Sequence, residues 1–481
     1  MESKSSKNKN IVYYCLFVLL SFFITCSSTS LLLKEDYLNP DSYVYRYMGM
    51  LIAKGGLPYR DGFDNKGPFL YILNFLGYCI NKRYGVWIIE FIFVLAFLIA
   101  SYKLALKFLD SFASFICVVF SINSFGVVFE GNMNEEYALF FLIVSIYIFV
   151  DYFIFDRVNI FKIFICGLCF SAVFLLKPNM VILWPIFCIY VVVDYLVRQK
   201  KFPVKFTIAF FAGAVSLAAP FVIWMGVTGI LNEYWKDCFL TNFMMTEGMF
   251  IPYELFLTMK RFFFESMMEV HLVFLLFLIY KRKNVVFNFV YILFMFLNLY
   301  MTSMSCFNAM HYGMILIPCS LYPSCAFVRY CFDTKLKEKN KLIYLLLAVA
   351  SAGLFVFLAR NISKFCVSMS EGNSIDPFKG DIISLIEENT DPDDEILVIG
   401  YACSYYVLSD RIAPTKFFYQ LIHVHYPDGD DIMKEDINST RPKMIIFEND
   451  LAFGDLYEHL DCYELIDFEH GVWLLKDEYT P

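Results

Sequence analysis

The sequence predicts an all-α polytopic membrane protein of about eleven transmembrane helices, followed by a small α/β domain outside the cytoplasm. Three observations carry this expectation. Apolar residues make up 59% of the 481 positions, and mean hydropathy is +0.57, against roughly 45–50% apolar residues in soluble domains. These residues fall in runs of about 20, the length a helix needs to cross the hydrocarbon of a bilayer. After about residue 360 the runs stop and acidic residues crowd in.

Lys4, Lys7 and Lys9 precede an apolar run at 11–33, which reads as an uncleaved first span because no small-residue cleavage motif follows it. Further spans are expected at 85–107, 112–129, 137–155, 161–177, 179–197, 206–229, 262–281, 285–303, 311–331 and 341–359. Basic residues return in every second gap: Arg157 and Lys162; Arg198 to Lys205; Lys281 to Lys283; and Lys335 to Lys341. Cytoplasmic loops carry such an excess, so the N-terminus is expected inside and the C-terminal domain outside. One outer loop, 34–84, breaks the rule with Lys34, Arg46, Lys54, Arg60, Lys66, Lys82 and Arg83. Within it, 68–80 is apolar but too short to span, which suggests an interfacial or re-entrant helix.

The division expected is a transmembrane domain over 1–360 and a soluble one over 361–481. In the latter, 381–388 reads as an amphipathic helix, 395–400 and 443–447 as buried strands, and 463–476 as a hairpin around Glu469-His470-Gly471. No basic face builds up, which argues against nucleic acid as a partner. The 15 cysteines are scattered, and the lone Cys166-x-x-Cys169 lies in an apolar run without a second pair, so no zinc site is read. The sequence requires no metal and leaves a divalent ion open as a cofactor.

The densest mixture of charges is Asp41-Ser-Tyr-Val-Tyr-Arg46 and Tyr59-Arg60-Asp61-Gly-Phe-Asp64-Asn-Lys66-Gly-Pro68. Asp41 reads either as a helix N-cap or as a functional carboxylate. Glu135 and Glu136 open a helix, where they complement its dipole or serve as an acid, base or metal ligand. Lys177, before Pro178, either snorkels to the interface or holds an anionic head group. His311 and Tyr312 open a later span from outside, and Glu90, Glu265 and Glu269 fall in or near apolar runs. His423, His425, Asp428 and Asp430 surround Pro427-Asp-Gly-Asp, which reads as a turn before it reads as a metal or nucleotide-sugar site.

The run from Asp41 through Tyr59-Arg60-Asp61 to Asp64-Asn65-Lys66-Gly67-Pro68 resembles the first outer loop of the GT-C glycosyltransferases. These polytopic enzymes include protein O-mannosyltransferases and lipid A aminoarabinose transferases. Lys66-Gly67-Pro68 stands where they carry Lys-Pro-Pro. Asn132 to Tyr137, Leu176-Lys177-Pro178, His311-Tyr312 and the tail around 396–411 are similar to their later motifs. The resemblance implies a GT-C-like fold and inverting transfer of a sugar from a polyprenyl-phosphate donor in the cell membrane, and it leaves the acceptor open. Asp41 then matches the acidic catalytic position, Glu135 or Glu136 the second acidic site, and Lys66 the donor-phosphate lysine. Arg60 and Lys177 are further candidates for the phosphate; Tyr59, Asp61, Asp64, His311 and Tyr312 are candidates for substrate binding. Asp41 is followed by Ser42 where the mannosyltransferases have Glu, which counts against protein mannosylation. A flippase for lipid-linked sugars, or a polysaccharide polymerase or ligase, would share the spans; a flippase would need no base at Asp41.

Overall fold

A computed structural model of the chain describes residues 4–27, 39–123, 129–249, 251–304, 306, 309–333, 359, 363, 366, 375–419, 429–448 and 457–479. The helices in chain order are α1 (Lys4–Ser27), α2 (Pro40–Ala53), α3 (Pro68–Ile80), α4 (Gly85–Ala105), α5 (Ser111–Asn123), α6 (Asn134–Phe153), α7 (Ile160–Leu176) and α8 (Leu183–Gln199). They continue with α9 (Val204–Thr228), α10 (Leu231–Tyr234), α11 (Thr241–Met249), α12 (Pro252–Glu265), α13 (Met268–Tyr280), α14 (Val285–Ser303) and α15 (Ile317–Asp333). Among the described residues α4, α6, α9, α14 and the stretch His311–Asp333 are long and apolar enough to cross a bilayer, so the chain is an integral membrane protein. The expected span at 341–359 lies almost wholly outside the described residues, as do His423, His425, Asp428 and the side chain of Asp430.

The expected span at 262–281 departs from a straight helix. It is the second half of a pair, α12 and α13, bent by 71°. The break has a local cause. Met267 takes a left-handed φ of 47°, and Glu265 just before it is held by Arg261 at 2.8 Å one turn back. The next span also starts differently: a tight 3-10 segment, Met310–Leu316, leads into α15. Lys177-Pro178 does break the helix as its proline requires, with Lys177 extended and Pro178–Met180 forming one 3-10 turn.

The chain folds as two compact units. The first comprises 1–28, 90–221 and 249–367, and is helical in its described residues. Its helices meet closely where side chains are absent: a Cβ on Gly167 of α7 would lie 1.9 Å from the Phe210 carbonyl of α9. Several buried polar groups there are matched. Tyr322 donates to Asn288 at 2.6 Å, Tyr291 to the Cys319 carbonyl at 3.0 Å, and the buried Asp151 of α6 is held by both Lys107 and Lys162.

The second unit comprises 29–89, 222–248 and 368–481. Its sheet has the order β1-β2-β4-β3, with β1 (Ile396–Ile399) parallel to β2 (Met444–Phe447), and β4 (Val472–Leu475) antiparallel to both β2 and β3 (Tyr463–Asp467). β1 stands at the end of the sheet order yet is buried at all four positions, the continuous apolar run expected of a parallel strand covered on both faces. A helix over Pro377–Asn389 precedes it. The first outer loop enters this core. Phe63 packs with Leu397, Ile399, Phe417 and Ile445, and its amide donates to the Lys416 carbonyl at 2.8 Å. Tyr47 of α2 stacks on Phe418 at 3.9 Å and accepts from the Ala413 amide. Gly49 allows α2 to lie against α3, since a Cβ there would meet the Asn74 carbonyl carbon at 2.5 Å.

Candidate functional site

In the second unit, Asn39 and Pro40 set the start of α2. Asn39 is extended and accepts the Asp41 amide at 2.9 Å, and Pro40 takes the first helical position. Asn39, not Asp41, is therefore the cap. Asp41 stands in the first turn, half-buried, with no hydrogen bond to its carboxylate among the described residues. Its charge is felt at Asp64 and at the buried Tyr419.

Asp64 is buried, accepting from the Tyr71 hydroxyl and the Asn65 amide, both at 2.8 Å. Burial pushes its carboxyl above the usual carboxylate range, with the Lys66 charge opposing. Lys66 is fixed through its backbone. Its carbonyl accepts from the Tyr59 hydroxyl at 2.9 Å and the Tyr71 hydroxyl at 3.1 Å. Its ammonium reaches the Asn65 side-chain oxygen and lies 6.0 Å from the centre of the Tyr45 ring. Tyr59 is itself buried at a left-handed φ of 68°, packed against Tyr71 and Tyr234. It anchors the loop instead of lining an open surface. Arg60 and Asp61 point elsewhere: Arg60 forks onto Asp61 at 2.7 and 2.8 Å, and Asp61 accepts the Leu57 amide, closing the turn. That pairing outweighs burial and holds Asp61 below the usual range.

Four residues that sequence reasoning passed over complete this polar cluster. Asn242 of α11 donates to the Asn65 carbonyl at 2.7 Å, and Tyr71 of α3 binds both Asp64 and the Lys66 backbone. Asp237 is fully buried, with the Lys416 ammonium at 2.8 Å. Burial pushes Asp237 up to about 7, the Lys416 charge opposing only in part. Asp237 follows Lys236 in a mixed, amphipathic stretch, where nothing in the spacing marks it as buried.

The first unit holds a different cluster. A loop with left-handed Gly131 and Asn132 leads into α6. Glu136 turns back to accept the Gly131 amide at 2.8 Å and so closes that loop. Glu135 faces Lys177 at 2.9 Å, and the Lys177 ammonium lies 3.9 Å from the centre of the Tyr312 ring. His311 Nδ1 lies 2.7 Å from Glu130, and its charge is felt at Glu135. The structure thus joins Glu135, Lys177, His311 and Tyr312 and separates Glu136 from Glu135 by role. Among the described residues no three His, Cys, Asp or Glu side chains group as a metal site.

No protein-family model matches the chain, and no curated protein matches it. Solved structures do. ArnT from Cupriavidus metallidurans bound to undecaprenyl phosphate is similar at a TM-score of 0.63 and 12% identity, over 98% of this chain and 99% of that one. The same protein in the apo state gives 0.56 at 12% identity, over 97% of each chain. The archaeal oligosaccharyltransferase AglB from Archaeoglobus fulgidus, in complex with an inhibitory peptide and a dolichol-phosphate, gives 0.52 at 12% identity, over 100% of this chain and 75% of that one. At such identity the likeness is one of fold, and it is the GT-C fold that the first outer loop resembles.

Proposed function

We propose that the chain is a glycosyltransferase that moves a sugar from a polyprenyl-phosphate donor to an acceptor at the outer face of the cytoplasmic membrane. The observation that carries this reading is the polar cluster of the second unit, where the charges of Asp41 and Lys66 both act on the buried Asp64, the Asp41 carboxylate has no hydrogen bond among the described residues, and buried tyrosines fix the Lys66 backbone. The fold shared with ArnT bound to undecaprenyl phosphate supports a lipid-phosphate donor.

In this reading the acceptor hydroxyl attacks the anomeric carbon with inversion. Asp41 takes its proton, the bond from anomeric carbon to phosphate oxygen breaks, and prenyl phosphate leaves. Charge grows on that phosphate, and Lys66 stabilises it, with Arg60 a weaker contributor because Asp61 already occupies its fork. Lys177, a phosphate candidate in the sequence, is paired instead with Glu135 in its own unit. A flippase would use the cation and have no need of the free carboxylate.

The test offers the detergent-purified protein radiolabelled sugar on a prenyl phosphate or on a nucleotide, with an extract of native acceptors. Transfer from the prenyl carrier is expected. Transfer from the nucleotide sugar with no prenyl intermediate present would rule the reading out. The orientation has its own check. Cys403 and Cys462 are buried, so a cysteine introduced at the exposed Ser439 is the better reporter. It should react with an impermeant thiol reagent in intact cells; labelling only after the membrane is broken would reverse the topology.

A further inference from the structure

The first unit contains a second cationic feature with no part in the proposed transfer. A cavity of about 280 Å³ lies where α4, α6, α13 and α15 end and α14 begins. The ionisable side chains lining it are Lys107, Lys283, Arg329 and one acid, Asp333. Phe108 and Tyr330 supply apolar wall. It is far from the Glu135–Lys177 pair: Glu135 opens α6, while the cavity lies just past the other end of that helix of 20 residues, about 30 Å away at helical rise.

The cations are not used up by neighbours. Asp151, the carboxylate beside Lys107, is shared with Lys162, so two lysines meet one negative charge. Arg329 holds Asp333 at 2.9 Å through Nε and donates to the Phe108 carbonyl at 3.2 Å through Nη1. Lys283 is exposed, and its ammonium has no hydrogen-bond or ion-pair partner among the described residues. Apolar helices end where the hydrocarbon of a bilayer ends, so the cavity falls at the depth of lipid phosphates. Basic pockets between helix ends are the usual receptors for such head groups.

We propose that this cavity is a binding site for a phosphate-bearing anion, with Lys283 and Arg329 as its principal contacts and Lys107 as its half-buried positive floor. The proposal is independent of the transferase reading. Native mass spectrometry of the full-length protein in neutral detergent tests it, with dioleoyl phosphatidylglycerol and dioleoyl phosphatidylcholine as probes and inorganic phosphate as competitor. Wild type should prefer phosphatidylglycerol by about tenfold, and the K283A/R329A variant should lose that preference. K434A, on the surface of the second unit, should keep it. Displacement by millimolar inorganic phosphate would identify a soluble phosphate as the ligand; resistance to it would identify the lipid. K283E serves as a second variant, because the Lys283 side chain gives up no hydrogen bond or ion pair among the described residues. Equal binding of both lipids by wild type without phosphate binding, or an unchanged preference in K283A/R329A and K283E, would overturn the proposal.

Discussion

The polar clusters of the two units spend their charges differently. In the first, Glu135 is paired with Lys177 and Glu130 with His311, while Glu136 takes a loop amide. In the second, the buried Asp64 is satisfied by a hydroxyl and an amide, and Asp41 has no hydrogen-bonding partner among the described residues. A paired buried charge is committed to holding the fold, since removing its partner leaves it stranded. A carboxylate in the first turn of a helix without a hydrogen-bonding partner keeps its lone pairs for a substrate. The contrast separates residues whose loss should stop chemistry from residues whose loss should loosen the protein.

Asp41→Asn makes the largest demand on this contrast. It keeps shape and removes the base, so transfer should fall about 100- to 10,000-fold with thermal stability unchanged. Wild-type turnover by this variant would return Asp41 to a helix-end role. Lys177→Ala should do the reverse in kind. It leaves Glu135, 3% exposed, without its cation, at a cost of about 3–5 kcal/mol in stability. The double change E135Q/K177M should recover most of that loss in a thermal unfolding assay; if it recovers none, the pair is not what the lysine supports.

Lys66→Ala sits between the two. The backbone groups that anchor the loop remain, so the fold should hold, and transfer should drop by the roughly 1.5–3 kcal/mol of a charge-assisted phosphate contact. That is about 10- to 150-fold in kcat/KM. A loss of folding without a loss of specific activity would remove the lysine from the donor site. The smallest effect concerns pH. Asp237 is pushed up to about 7 by burial, so its neutral form is favoured in the folded state. Its contribution to stability is fully present below the unfolded carboxylate value of about 4 and is lost as pH rises to about 7. Stability should decline with pH in this window, by at most about 1.4 kcal/mol per pH unit, the melting midpoint falling with it, and Asp237→Asn should flatten the slope. A midpoint that instead rises through the window would show that Asp237 is ionised against Lys416.

Much of the architecture follows from local pattern. Runs of about 20 apolar residues have to become helices in a bilayer, because no water is there to satisfy the backbone. The short run 68–80 could be only a short helix, and α3 has those bounds. The strands at 396–399 and 444–447 and the hairpin around Gly471 are likewise written in alternation, apolar runs and turn residues. The broken α12–α13 pair was not legible, because its cause is one left-handed residue, Met267, whose type gives no warning.

For the site, chain order alone sets which charged residues stand together: Asp41, Asp64 and Lys66 in one loop, Glu135 and Glu136 in another. What each charge faces is set by the folded arrangement. It moved the cap from Asp41 to Asn39 and gave Glu136 to a loop amide and Glu135 to a lysine 42 residues away. It also brought Asn242 to the Asn65 backbone and Lys416 to Asp237. The physical reason is range. Hydrophobic periodicity and turn chemistry act over a few residues and can be read along the chain. The partner of a buried charge is fixed by packing between segments far apart in sequence, where a carboxylate left without a cation costs several kcal/mol.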